Sequence, residues 1–251
     1  MNPGGGSSYG IVGDVHSNLQ ALEAALAFFD REGVVTVWCL GDVVGYGGDP
    51  SACAGIVRER CAGTVRGNHD VAAVDPRLRA WFNPHARAAI ERQAELLTED
   101  ELAWLGSLPA TLEAPGATIT HSGFADPDAF DYVTTARHAT VELGAMEGRI
   151  GFYGHTHVPA LWRRSPDGSV ELLPLEENGA ISLAGNDRWL VNPGAVGQPR
   201  DGDPRAACAI FDPEGPTLRY VRLPYDLAAA QEAIARAGMP SFEAARLTHG
   251  M

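Results

Sequence analysis

The chain contains no lysine; all 19 of its basic residues are arginine. Chemistry that needs a lysine amine is therefore excluded, including Schiff-base formation, a P-loop lysine and a Ser–Lys dyad. Basic residues are scarce overall: 32 acidic against 19 basic leave a formal charge of −13. That balance disfavours a nucleic-acid partner held by counterion release. It leaves room for a small phosphate ester in a locally positive site. No apolar window of about 18 residues occurs, so no membrane-spanning helix is expected. The N-terminal MNPGGGSSYG has neither a basic n-region nor an apolar h-region. It reads as a flexible lead-in over residues 1–8, not a secretory signal. Its G-x-S-x-G match (Gly6 to Gly10) has no preceding strand and reads as accidental. The four cysteines, Cys39, Cys53, Cys61 and Cys208, form no C-x-x-C pair. They are expected to be reduced, mostly buried thiols of a cytoplasmic protein.

What is present suits a globular chain: 45% hydrophobic and 20% charged residues over 251 positions. That length fits one domain spanning 1–251. Strand and helix signals alternate through the first half. Apolar runs near 9–13, 34–40, 118–120 and 151–153 read as strands, and a short strand leads to Gly67. Leu19, Leu22, Ala25, Leu26 and Phe29 recur at helical spacing, giving a helix over about 17–31. Further helices are expected near 50–60 and from Asn83-Pro84 to about 96, with another opened by the Thr98/Glu101 capping box. The last third is strand-rich, near 159–164, 169–173, 180–183, 188–191, 206–211 and 217–222. Two helices near 226–237 and 240–248 close the chain. Alternating β/α followed by antiparallel strands predicts a layered α/β fold.

Side chains with metal-ligand chemistry gather just after the predicted strands, where open α/β sheets place their sites. They occur in GDVHSN (Asp14, His16), GDVVGYG (Asp42), GNHD (Asn68, His69), THSG (His121) and GHTH (His155, His157). Imidazole and carboxylate without thiolate suit zinc, manganese, iron or nickel, and disfavour a purely structural zinc. A shared carboxylate can hold two ions roughly 3.5–4 Å apart, the spacing that clamps both oxygens of an in-line displacement at phosphorus. His85, His138 and His249 lack such a context. Trp81, Phe82, Trp104 and Leu105 read as helix packing, the Asp126/Asp128/Asp131 run as a solvated loop, and Arg200 and Arg205 as a solvated turn.

The ordered set D-x-H, G-D, G-N-H-D, H and G-H-T-H resembles the calcineurin-like metallophosphoesterase superfamily over about residues 9–222. GYGGDP and NPGAVGQPRDGDPRAA are similar to its small single-domain bacterial and archaeal members. The resemblance implies a four-layer αββα sandwich of two mixed sheets. It implies that Asp14, His16 and His157 bind one divalent ion and Asn68, His121 and His155 a second, with Asp42 bridging. Manganese is the first expectation. His69 is implied near the leaving-group oxygen, Arg66 and Asn18 near the phosphate, and Asn192-Pro193-Gly194 behind the GHTH loop. Tyr46 is read both as a base-stacking ring and as sheet packing. The chain departs from G-D-x-x-D-R-G at 41–47, where the acid that orients the histidine and the arginine that grips phosphate are both absent; Asp70 or a backbone carbonyl is the expected substitute for the former.

The activity so implied is hydrolysis of phosphate esters or anhydrides by in-line attack of a hydroxide bridging the two ions. The expected substrate is a small nucleotide-type phosphodiester or a dinucleoside polyphosphate. A phosphoprotein phosphatase and a non-catalytic, metal-stabilised scaffold are the alternatives.

Overall fold

The computed structural model describes residues 8–251. The lead-in expected over 1–8 thus lies, apart from Ser8, outside the described residues. Strand β1 (Tyr9–Val12) runs into helix α1 (Leu19–Glu32), then β2 (Val37–Cys39), α2 (Pro50–Arg60) and β3 (Cys61–Thr64). Helix α3 (Asn68–Val74), a 3₁₀ turn (Pro76–Trp81), α4 (Pro84–Leu96) and α5 (Glu99–Gly106) follow. Next come β4 (Thr111–Ala114), β5 (Ala117–Thr120), α6 (Ala136–Ala145), β6 (Ile150–Phe152), β7 (Ala160–Arg164), β8 (Val170–Leu173), β9 (Ala180–Ser182) and β10 (Arg188–Asn192). Strands β11 (Ala206–Asp212) and β12 (Thr217–Leu223) and helices α7 (Leu227–Arg236) and α8 (Ser241–Leu247) end the chain.

The strands form two mixed sheets of six, ordered β3-β2-β1-β11-β12-β9 and β4-β5-β6-β10-β7-β8. In the first, β1, β2 and β3 run parallel; in the second, β5, β6 and β10 do. The period of two along each strand builds the layers. Along β11, Ala209 and Phe211 face the second sheet and meet Ile119, Phe152 and Val191. Cys208 and Ile210 face the other way, against Leu22, Leu26 and Phe29 of α1. Along β10, Trp189 and Val191 enter the inter-sheet core, while Leu190 meets Leu143 of α6 on the outside. Helix, sheet, sheet and helix are thus stacked as expected. Among the described residues, no helix is long and apolar enough to cross a membrane. All four cysteines are unbridged, and Cys39, Cys53 and Cys208 are buried.

Some boundaries differ from the sequence expectation for local reasons. The apolar run from Val34 begins as the end of α1, because Val34 N–H donates to the Phe29 carbonyl at 2.9 Å. Gly33 turns there at φ 73°, so pairing in β2 starts only at Val37. Helices α3 and α6 and strand β4 are not foreseen. Helix α3 has only 7 residues, and α6 buries only Ala139, Glu142 and Leu143. Neither presents enough apolar periodicity to register.

Candidate metal centre

Each expected ligand leaves the carboxyl end of a parallel strand. Asp14 and His16 follow β1, Asp42 follows β2, and Asn68 follows β3. His121 follows β5, and His155 and His157 follow β6. The turns there are forced: Asp14, His16, Asp42, His155 and His157 all have φ between 47° and 66°. Left-handed backbone at non-glycine residues costs of order 1–3 kcal/mol each, and persists where surrounding structure over-determines it. The glycines between them permit close approach. A Cβ on Gly45, at φ 119°, would stand 2.6 Å from His69 Nδ1 and 2.7 Å from His16 Nδ1.

The ligand atoms converge in two groups. Asp14, His16, Asp42 and His157 place one donor each within 4.8 Å of one another, and so do Asp42, His121 and His155. Asp42 belongs to both. Asn68 joins the second, its Oδ1 standing 3.3 Å from His121 Nε2. The structure therefore brings together all seven expected ligands, with the expected residue shared.

Backbone carbonyls fix the imidazoles. Nδ1 of His16 faces Val44 O at 3.1 Å, that of His121 faces Leu40 O at 2.8 Å, and that of His157 faces Gln198 O at 2.6 Å. A carbonyl only accepts, so in each neutral ring the proton sits on Nδ1 and Nε2 is a bare lone pair. His16 Nε2 and His157 Nε2 then point at each other across 3.0 Å. Two lone pairs aimed at one point, with carboxylate oxygens beside them, suit a cation. Asn192, as expected, supports the GHTH loop: Nδ2 donates to Gly154 O at 2.7 Å and to Thr156 Oγ1 at 2.9 Å.

The electrostatics agree. Burial, with Asp42 beside it, pushes Asp14 up to about 7. Burial also pushes Asp42 upward, but His121, His69 and His16 together hold it well below the usual carboxylate range. Like charges this close resist joint ionisation. Burial drives His16 and His157 well down, and His155 to about 3. Burial lowers His121 too, yet Asp42 and Asp14 lift it to about 9. Without a metal, a proton on His121 supplies the positive charge the carboxylates demand.

A family model described as the calcineurin-like phosphoesterase superfamily domain matches residues 8–215. The chain belongs to this superfamily. A crystal structure of a metallophosphoesterase from Sphaerobacter thermophilus is 35% identical, with a TM-score of 0.85 over 98% of this chain and 100% of that one. An uncharacterized protein of Methanocaldococcus jannaschii is 32% identical over 97% of this chain and 98% of its own. A hypothetical protein from Pyrococcus horikoshii OT3, 18% identical, shares the fold at a TM-score of 0.77 over 97% and 98% of the two chains.

In this member of the superfamily, the centre opens into a cavity of about 850 Å³, lined in part by Asp42, Asn68, His69, His155 and His157. His69 stands outside both ligand groups, its backbone N–H donating to Asp42 Oδ1 at 2.8 Å. Neither Asp70 nor a carbonyl orients its ring: Nδ1 is buried with no partner. Asp70 instead accepts from the N–H groups of Gly67, Val43 and Val44, tying the loop after β2 to the loop after β3. His69 is boxed by the rings of His16, Tyr46 and Phe82, at 4.8, 4.5 and 4.8 Å between centroids. Burial lowers its pKa to about 4.

The residues expected near the substrate sit in three different settings. Asn18 is a structural residue: Oδ1 accepts from Ala21 N–H to cap α1, and Nδ2 donates to Gly197 O. Its buried amide is engaged through both its oxygen and its nitrogen, and it is not among the residues that line the cavity. Tyr46 lines the cavity but is only 7% exposed, its ring packed on His16 and His69 with Arg200 and Arg246 beside it. It offers no open face to a base. Arg66 reaches the cavity and forks onto Asp128 at 2.6 and 2.7 Å.

Sequence reasoning missed other cavity residues. Trp81 and Phe82, read as helix packing, line it, and Trp81 is 87% exposed. The loop read as solvated supplies Phe130 and Tyr132, the latter stacked on His155 at 4.3 Å. Arg200, read as a turn residue, lines it too. None follows a strand directly, so the strand-end signal passed over them all.

Proposed function

We propose that this protein hydrolyses small phosphate esters or anhydrides of nucleotide type with two divalent cations, manganese foremost. The observation that carries this reading is Asp42, shared by two buried donor groups that open on one cavity. Asp14, His16, Asp42 and His157 would hold one ion, and Asp42, Asn68, His121 and His155 the other. Ions bound there supply Lewis acidity toward phosphoryl oxygens and toward the attacking water. The Val44, Leu40 and Gln198 carbonyls keep three imidazoles in the tautomer that binding needs. His69, neutral at physiological pH, has no acceptor at Nδ1. Its ring proton is best placed on Nε2, from which it hydrogen-bonds the departing oxygen and steadies the charge developing there.

The cavity supports a nucleotide-type substrate. Its volume lies within the range of small-ligand sites. Exposed rings of Trp81 and Tyr132 line it together with two arginines. Asp128 and Asp131 on the same wall favour the second reading, a phosphoprotein substrate with a basic segment. Four unbridged thiols fit a reducing, cytoplasmic setting. The test is hydrolysis of a chromogenic phosphodiester with added Mn²⁺, repeated with chelator, followed by competition among diadenosine polyphosphates, cyclic nucleotides and phosphopeptides. Turnover that chelator abolishes is expected, with nucleotides competing best. No metal-dependent turnover on mono- or diesters would leave only a metal-stabilised scaffold.

A further inference from the structure

Arg200 has no carboxylate partner. Among the described residues, no acid lies within ion-pair distance of its guanidinium, in a chain of net charge −13. Arg66, the other arginine of the cavity, is neutralised by Asp128. Arg246, beside the same Tyr46 ring, faces Glu243 at 3.5 Å. The partners of Arg200 are neutral. Gln198 Oε1 accepts from its Nε at 3.3 Å and its Nη2 at 2.8 Å, and the Tyr46 ring lies 5.5 Å from its Cζ. Its own N–H donates to His157 O at 3.2 Å, so its backbone is pinned to a candidate ligand.

Gln198 is the hinge of this arrangement. Its carbonyl orients His157, its Oε1 holds Arg200, and its Nε2 donates to Glu243 Oε2 at 3.2 Å. Glu243 is fully buried on α8, so a C-terminal helix anchors the arginine that leans over the centre.

We propose that Arg200 is the anion-reading residue of the cavity: a preformed guanidinium fork that engages phosphoryl oxygens, with Gln198 as the residue that positions it against His157. A half-buried cation with no carboxylate in ion-pair contact is poised for an anionic ligand, and a planar fork matches two phosphoryl oxygens.

This assignment rests on the phosphoesterase reading, and two measurements keep them apart. The first is titration of Mn²⁺-loaded protein with inorganic phosphate by calorimetry. The second is chromogenic diester hydrolysis. Arg200→Gln should weaken phosphate binding by at least about tenfold and raise KM by a similar factor, with manganese content and melting midpoint unchanged. Arg66→Gln, whose charge is already spent on Asp128, should weaken it less. Arg200→Met, which keeps an apolar stem against Tyr46, should lose as much as Arg200→Gln and decides the matter if that variant folds poorly. Phosphate affinity within about twofold of wild type in the folded, metal-loaded variant overturns the role of Arg200 while wild-type hydrolysis still stands. A wild type without metal-dependent hydrolysis overturns the parent reading and this one together.

Discussion

Within each sheet, the parallel and antiparallel strands do different work. The parallel trios, β1, β2 and β3 in one sheet and β5, β6 and β10 in the other, end in Asp14, His16, Asp42, Asn68, His121, His155, His157 and the supporting Asn192. The antiparallel strands β11, β12 and β9, and β4, β7 and β8, end in none of these. Yet β11 and β12 are the longest strands, at 7 residues each, and β11 supplies Cys208, Ala209, Ile210 and Phe211 to cores on both faces. Parallel strands need crossovers, and each crossover leaves a loop at the carboxyl end with room for polar groups. The antiparallel pairs β4–β5, β7–β8 and β11–β12 return through short turns that offer no such shelf. Packing and chemistry are thus divided by strand direction rather than by sheet.

The largest expected effect breaks the shared ligand at the end of β2. Asp42→Asn should lower metal affinity by at least about a hundredfold and remove activity, checked by metal analysis after dialysis. A variant that retains both metal and turnover would end the role of a bridging carboxylate. Next, His69→Ala should reduce kcat by about 10²–10³-fold with metal content unchanged. Metal loss in that variant would move His69 into the ligand set.

The metal-free protein should also show its centre in its pH dependence. In the unfolded chain the histidines titrate near 6.5. In the fold, burial holds His69 at about 4, His155 at about 3, and His16 and His157 well below 6.5. The unfolded state therefore takes up protons first, and stability present above pH 6.5 is lost as pH falls toward 4. Burial acts oppositely on Asp14 and Asp70, raised to about 7: they keep protons that the unfolded chain has released, and stabilise the fold as pH falls. Four depressed histidines outweigh two raised carboxyls in that window. His121, lifted to about 9, adds stability as pH falls from there toward 6.5. The melting midpoint of chelator-treated protein should peak near pH 6.5–7 and fall on the acid side. A midpoint that climbs steadily into acid would contradict the buried, neutral imidazoles.

The smallest effect belongs to the antiparallel part. Ile210→Val in β11 removes one methyl group from the core beneath α1. It should cost about 0.5–1.5 kcal/mol by thermal or denaturant unfolding, with kcat and metal content as in wild type. A change in metal affinity there would dissolve the division between the two kinds of strand.

The metal ligands were legible because their signal is local. An apolar run, a glycine and a polar side chain adjoin in sequence, and folding only gathers them. Helix caps were legible for the same reason at Asn83, Thr98 and Glu101. Asn18 shows the limit of that reasoning: the residue that resembled a phosphate contact is occupied by the first turn of α1 and by Gly197. The orienting partner sought for His69 is no acid at all, but three rings, all of them more than ten residues away along the chain.

The sequence by itself determined the composition of the centre: which residues can bind a cation, and that each follows a strand, because strand and turn propensities act over a few residues. Only the tertiary structure decided what surrounds it. Crossovers bring Asp128 to Arg66, Tyr132 to His155 and Gln198 to His157. Charge pairing and ring stacking act through space, and nothing near Arg200 in the chain records that no acid would meet it.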